Sequence, residues 1–284
     1  MNRFERNVQN FLGCDSGYEE SKIVIFGAPF DSTTSYRPGT RFASAAMRNE
    51  SYGIETYSPY QDKDLEDICV FDSGDLELPI GSAELALADI ESRAEMIISD
   101  GKIPCMIGGE HLVTLGAVRA MVKKYADLQL IQLDAHADLR EDYLGVQLSH
   151  ACVMRRCYEL LGDGRIFQFG IRSGTREEFE FAKSHTNMRK FDLAGIEETV
   201  QKIGQKPVYF TLDLDVLDSS QLPATGTPEV GGVSFLNLMG AIKEISGLNI
   251  VGFDINELSP PYDQSGASTA LACKLLREMM LYFY

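Results

Sequence analysis

The chain has 284 residues, 44% hydrophobic and 24% charged, the balance of a globular protein with a sizeable core. Its formal net charge of −16 argues against nucleic acid as a partner, because phosphate binding needs a basic face; a small cationic substrate is compatible with it. No run approaches the ~18 apolar residues of a membrane helix, and the N-terminal "MNRFERNVQNFLGCDS" has no apolar leader core, so no membrane and a cytoplasmic location are expected.

In chain order, a strand is predicted over 22–30 ("KIVIFGAPF") and another over 68–75 ("ICVFDSGD"). A helix over 82–101 shows apolar residues three and four apart and stops at a glycine. Next come a strand at 103–109, a helix at 114–126, strands at 128–136 and 165–172, and a short strand at 187–191. A helix at 193–204, a strand at 207–217, a helix at 234–247, a strand at 249–258 and a helix at 268–283 complete the chain. The strands are rich in Val, Ile and Phe and apolar on both faces, as in a sheet covered on both sides. Alternating strands and helices predict an α/β fold with a parallel sheet. With no repeat, low-complexity stretch or linker, 1–284 reads as one domain. The six cysteines form no CxxC and sit in apolar stretches, which suits free thiols in a reducing compartment.

Four predicted strands end in polar clusters: "GGEH" at 108–111, "DAHAD" at 134–138, "DLD" at 213–215 and "NE" at 256–257. Open parallel sheets bind ligands beyond the carboxyl ends of their strands, so the four clusters point to one shared site. Side chains at i and i+2 share a face of a strand. Asp134 and His136 can therefore converge, with Asp138 reaching back as the chain turns, and Asp213 and Asp215 pair by the same logic. His111 follows two glycines that let the backbone come close. Two imidazoles and four carboxylates exceed one closed zinc site and are enough for two adjacent cations sharing carboxylates. That donor set suits Mn²⁺ better than Zn²⁺ or Cu²⁺. Each piece alone has an ordinary explanation: a capping aspartate, a strand terminator, a hydrogen-bonded core histidine. Their joint occurrence on successive strand ends is what carries the metal reading. Two cations ~3.5–4 Å apart make a water acidic enough to attack an electrophilic carbon near neutral pH, which implies a hydrolase. Glu257, outside the ligand set, could accept two parallel hydrogen bonds from a guanidinium, or could simply be a surface or capping residue.

These motifs, with "SHACVMRR" (149–156), "TLDLDVLD" (211–218), "GTPEVGG" (226–232), "GFDINELSPPYD" (252–263) and the N-terminal "GAPFD", "RPGTRFA" and "DSGD", resemble the ureohydrolase family along nearly the whole chain. The resemblance implies a three-layer α/β/α fold with a mostly parallel, eight-stranded sheet. It also implies two Mn²⁺ per subunit, held by His111, Asp134, His136, Asp138, Asp213 and Asp215. Glu257 would hold the guanidinium of the substrate, Asp138 would carry a proton to the leaving amine, and His150 would pass protons or contact substrate. A homotrimer or homohexamer is implied too. His185 matches no motif and reads as an ordinary exposed histidine.

Arginases carry an Asn two residues after the last DxHxD ligand, then a Ser-rich stretch; here Arg140 takes that place and Glu141, Asp142 and Tyr143 follow. The "DLREDYLG" loop and "SPPYD" look like the agmatinase branch, with Glu141 or Asp142 as candidate neighbours of the second positive end of agmatine. Position 110 departs from many members in being Glu rather than Asp, without removing a ligand. Guanidinobutyrate, arginine and formiminoglutamate are the alternative substrates. A single-metal deacetylase-like hydrolase on a related fold would leave carboxylates crowded and unpaired. A non-catalytic relative would be expected to have lost ligands, and every one is present.

Overall fold

The computed structural model describes residues 9–284; the expectation that no leader is present falls partly on residues 1–8, outside the described residues. Among the described residues, ten strands and eight α-helices follow one another. Strand β1 (Ile23–Gly27) leads to α1 (Ala43–Glu50), then a small hairpin of β2 (Tyr57–Ser58) and β3 (Lys63–Asp64), then β4 (Val70–Asp75). The middle of the chain runs α2 (Ala83–Ser99), β5 (Ile103–Ile107), α3 (Val113–Lys124), β6 (Gln129–Leu133), α4 (Val153–Leu161), β7 (Ile166–Ile171), α5 (Arg176–His185) and β8 (Asn187–Lys190). The last part comprises α6 (Ile196–Ile203), β9 (Pro207–Asp213), α7 (Phe235–Ile245), β10 (Asn249–Asn256) and α8 (Ala267–Phe283).

All eight strands anticipated from the sequence enter one sheet, in the order β4-β1-β5-β10-β9-β6-β7-β8. Every pairing within it is parallel. The alternation of each strand explains the three layers. On β1, Ile23 and Ile25 join one apolar core while Val24 and Phe26 join the other. Phe210 and Leu212 of β9 face the first core and Tyr209 the second. The first core is roofed by α1, α6, α7 and α8, the second by α2, α3, α4 and α5. A strand buried on both faces has no polar side to present, which is why these runs lack alternation of polar and apolar residues.

The five helices expected are present, within a few residues of their predicted ends. Three more, α1, α4 and α5, were not anticipated. α1 carries one large apolar residue, Met47, among small and polar ones, so it shows no apolar stripe. α5 is polar, yet its start was legible: Thr175 accepts the Glu178 N–H while Glu178 accepts the Thr175 N–H, a capping box of the form T-x-x-E.

The C-terminal "LYFY" covers the core. Phe283 is buried and packs edge-to-face on Phe210 (5.7 Å between ring centres) and Phe253 (5.1 Å). All six cysteines are free thiols, five of them buried. Among the described residues no helix is long and apolar enough to cross a membrane.

Candidate metal centre

Four adjacent central strands, β5, β10, β9 and β6, deliver the polar clusters to one edge of the sheet. His111 follows β5, Glu257 follows β10, Asp213 closes β9, and Asp134, His136 and Asp138 follow β6. His111, Asp134 and Asp213 each offer a donor atom, all within 4.8 Å of one another; Asp134, His136 and Asp215 form a second such group. Asp134 belongs to both. Asp138 lies beside the first group, with Oδ2 3.2 Å from His111 Nδ1. All six candidate ligands thus come together.

The scaffold spends one set of bonds on aiming another. Asp213 Oδ1 accepts the Asp215 N–H (2.9 Å) and Asp215 Oδ1 accepts the Ala135 N–H (3.1 Å), leaving Oδ2 of each toward an imidazole. Asp213 Oδ2 is 3.2 Å from His111 Nδ1 and Asp215 Oδ2 is 2.9 Å from His136 Nδ1. Gln132 donates to Asp134 Oδ2 at 2.6 Å and is itself held by Gln168 at 2.6 Å. Thr211 bonds His111 Nε2 at 2.9 Å, orienting the ring so that Nδ1 faces the carboxylates. Neither Gln132 nor Thr211 was singled out in the sequence; a polar residue within an otherwise apolar, doubly buried strand was the signal for both.

This donor set fits divalent cations. His111 Nδ1 lies 2.9 Å from Asp134 Oδ2 and near two further carboxylates, yet it is buried without a hydrogen-bond partner, as is Asp215 Oδ2. Donor atoms that crowd together without bonding one another are arranged for a shared third party. The electrostatics agree. Burial works against a cationic His111, but Asp134, Asp138 and Asp213 outweigh it and hold the imidazole well above its ordinary pKa. His136 is likewise held high by Asp215 and Asp134 against its burial. Burial pushes Asp138 up to about 7, with the Asp134 charge adding to it, and Asp213 is raised for the same two reasons with Asp215 as a further neighbour. The pocket is short of positive charge, and cations held by carboxylate and imidazole would supply it.

Two site residues adopt left-handed backbone: Asp138 (φ 53°) and Glu257 (φ 64°). Strain of this kind in a well-packed surrounding concentrates at functional positions. Glu257 is buried; its Oε1 accepts the His111 N–H at 2.7 Å, and burial followed by the nearby Glu110 charge raises its pKa well above the carboxylate range. Gly109 makes the close approach possible, since a Cβ there would collide with the Phe30 backbone.

Glu110 has a role the sequence did not reveal. Fully buried and pushed by burial to about 7, it accepts from the Thr33 N–H (3.0 Å), the Thr33 hydroxyl (2.5 Å) and the Thr34 hydroxyl (2.9 Å). Thr33 Oγ1 in turn accepts the His150 N–H at 3.1 Å, so Glu110 ties the 31–36 loop and His150 to the base of the site. His150 joins His136 and Asp138 around a cavity of about 300 Å³ that Arg140, Tyr143, Tyr36, Glu178 and Glu229 also line. Burial, then the neighbouring His136, lowers the His150 pKa to about 4, so its ring is neutral near pH 7 and its buried Nε2 is unpartnered.

Elsewhere two expectations are corrected. His185 is half-buried rather than exposed: it stacks on Phe181 (4.2 Å) and its Nδ1 meets Asp163 at 2.6 Å, far from the site's residues in role. Glu141 and Asp142 do not line the cavity. Glu141 pairs with Arg155 at 2.7 Å, and Asp142 accepts the Gly145 N–H at 2.9 Å beside an adjoining hollow that shares Ser35 and Tyr143 with the cavity.

A parallel sheet whose central strand ends converge on two carboxylate–imidazole groups sharing one aspartate defines an α/β protein with a candidate centre for two metal ions. A family model described as the arginase family matches residues 21–282, and the chain belongs to that family. An agmatinase of Bacillus anthracis is 46% identical over 275 residues, covering 95% of each chain. The crystal structure of an agmatine ureohydrolase of Thermoplasma volcanium superposes with a TM-score of 0.89 at 39% identity, covering 98% of this chain and 95% of that one. A guanidinobutyrase of Pseudomonas aeruginosa is 33% identical, covering 90% of this chain and 85% of its own.

Proposed function

We propose that the protein is a manganese-dependent agmatinase, hydrolysing agmatine to putrescine and urea. The observation that carries the reading is Asp134 shared between two ligand groups, with the buried, proton-hungry Glu257 carboxylate beside them. The similarity to agmatinases over almost the whole chain supports the substrate. His111, Asp134, Asp138, Asp213, His136 and Asp215 would hold two Mn²⁺, the carboxylate-rich set favouring a hard cation. When bound, the cations supply a water acidic enough to serve as nucleophile near neutral pH.

The side chains do the rest. Glu257 keeps one oxygen on the His111 N–H and offers the other to the guanidinium, fixing its plane and its charge. Asp138, with Oδ2 3.2 Å from His111 Nδ1 beside the first ligand group, is placed both to take a proton from the nucleophile and to deliver it to the leaving amine. His150, neutral and with Nε2 free, can relay that proton to the cavity mouth. A guanidino acid would direct its carboxylate at Arg140, but Arg140 already faces Glu178 at 3.5 Å. Free thiols suit the cytoplasm. Assembly as a homotrimer or homohexamer accords with the family. The test is urea release by Mn²⁺-loaded protein from agmatine, arginine and guanidinobutyrate in parallel. Preference for agmatine is expected; preference for either other compound would refute the substrate.

A further inference from the structure

The proposed substrate has a second positive end, and the cavity decides which residue receives it. Outside the ligands, the cavity wall carries two carboxylates, Glu178 and Glu229, and one cation, Arg140. Glu178 is committed. It is buried, with Oε1 accepting the Leu139 N–H (2.9 Å), Oε2 accepting the Thr175 N–H (2.7 Å), and Arg140 Nε 3.5 Å from Oε2. Arg140 is committed as well, since its guanidinium also stacks over Tyr143 at 4.9 Å. Glu178 and Arg140 offset each other. Among the described residues the Glu229 carboxylate has neither a hydrogen bond nor an ion pair, although Glu229 is only half-exposed. The outer cavity is therefore left with one uncompensated negative charge, and it belongs to Glu229.

The backbone of Glu229 is anchored to the metal-ligand turn. Arg172 Nη2 donates to the Glu229 carbonyl at 2.9 Å and to the Asp215 carbonyl at 2.7 Å, and Arg172 Nε donates to the Val230 carbonyl at 3.2 Å. On the other side Asp218 Oδ2 accepts the N–H groups of Gly231 (2.8 Å) and Gly232 (3.0 Å). Held by Arg172 and Asp218, residues 229–232 keep a fixed offset from the Asp215 turn.

We infer that Glu229 receives the ammonium at the far end of the guanidino substrate and so selects a cationic tail over a neutral or anionic one. The assignment rests on the reading of the site as a guanidino hydrolase. Its chemistry is an ion-paired hydrogen bond in a partly desolvated cavity, where charge counts for more than on an open surface.

The experiment compares agmatine with butylguanidine, which has the same guanidinium and chain length but no ammonium. Wild type, Glu229→Gln and Glu229→Asp are loaded with Mn²⁺, matched for metal content and melting temperature, and assayed for urea. The ratio of kcat/KM values, agmatine over butylguanidine, is expected to fall roughly tenfold to a hundredfold in Glu229→Gln, mainly through KM for agmatine. Glu229→Asp, which keeps the charge, is expected to retain much of the preference. An unchanged ratio in Glu229→Gln would overturn the assignment while leaving the hydrolase reading intact. A wild type that favours guanidinobutyrate over agmatine would overturn the assignment together with the choice of agmatine, and urea from none of the guanidino compounds would overturn the hydrolase reading itself; both are seen before any variant is made.

Discussion

Asp138 is where residue chemistry and backbone meet. Its φ of 53° lies in the left-handed region, which asparagine tolerates as readily as aspartate. Asp138→Asn therefore changes charge and proton affinity without new backbone strain. At matched metal content, turnover is expected to fall about 100-fold or more, since proton transfer by a placed group contributes roughly 10²–10⁴-fold. Wild-type kcat in that variant would refute its role as proton carrier. Glu257 shares the left-handed backbone, and neither conformation was readable from a sequence in which both residues look like ordinary strand-end acids. The ligands themselves were readable, because period-two spacing at a strand end leaves few other places for Asp134 and His136 to point. The residues behind them were not: Thr211 meets His111 and Glu110 meets Thr33 across long stretches of chain, and Gln132, two residues from Asp134, is itself held by the distant Gln168.

At the scale of elements, the 226–232 loop depends on Asp218. That carboxylate accepts from the Ser220 hydroxyl and N–H as well as the N–H groups of Gly231 and Gly232, bonds that favour its charged form and lower its pKa to about 2. The folded value lies below the ordinary carboxylate value near ~4, so the stabilisation is fully present above about pH 4 and is lost as pH falls through about 2. Asp218→Asn should lower the urea-unfolding midpoint at pH 6, and the gap to wild type should narrow at pH 3. A gap independent of pH would show that the carboxylate's charge is not what holds the loop. Most elements were legible from their periodicity, though α4 was missed despite the stripe of Val153, Met154, Cys157 and Leu161 that it buries. The doubly buried strands and most amphipathic helices stood out, whereas α1 is built mainly of small and polar residues, and the α5 capping box had to be read instead of an apolar stripe.

At the scale of the whole molecule, six titratable side chains are gathered at one sheet edge and mostly buried, an arrangement that is costly without cations. Metal binding and folding are thus linked: ligands that bind the native state add RT ln(1 + [M]/Kd) to its stability. Removing metal with a chelator at pH 7 should lower the melting temperature, and adding Mn²⁺ should restore it, with saturation at two ions per chain. Saturation at one ion, or a melting temperature indifferent to metal, would contradict a binuclear centre. The two apolar layers that support this edge, and the Phe283 seal against Phe210 and Phe253, account for how the fold holds such a charge cluster in place.

Composition and periodicity by themselves determined the α/β class, the eight strands, and the six candidate ligands, because burial on both faces and i, i+2 spacing are local properties written in consecutive residues. Tertiary structure alone decided the rest. It set the strand order that places β5, β10, β9 and β6 side by side and lets Asp134 serve both ligand groups. It also moved the acidic wall of the cavity from Glu141 and Asp142 to Glu229. Those facts depend on which distant segments meet, and on which charges find partners when they do; neighbours in space are fixed by packing, not by spacing along the chain.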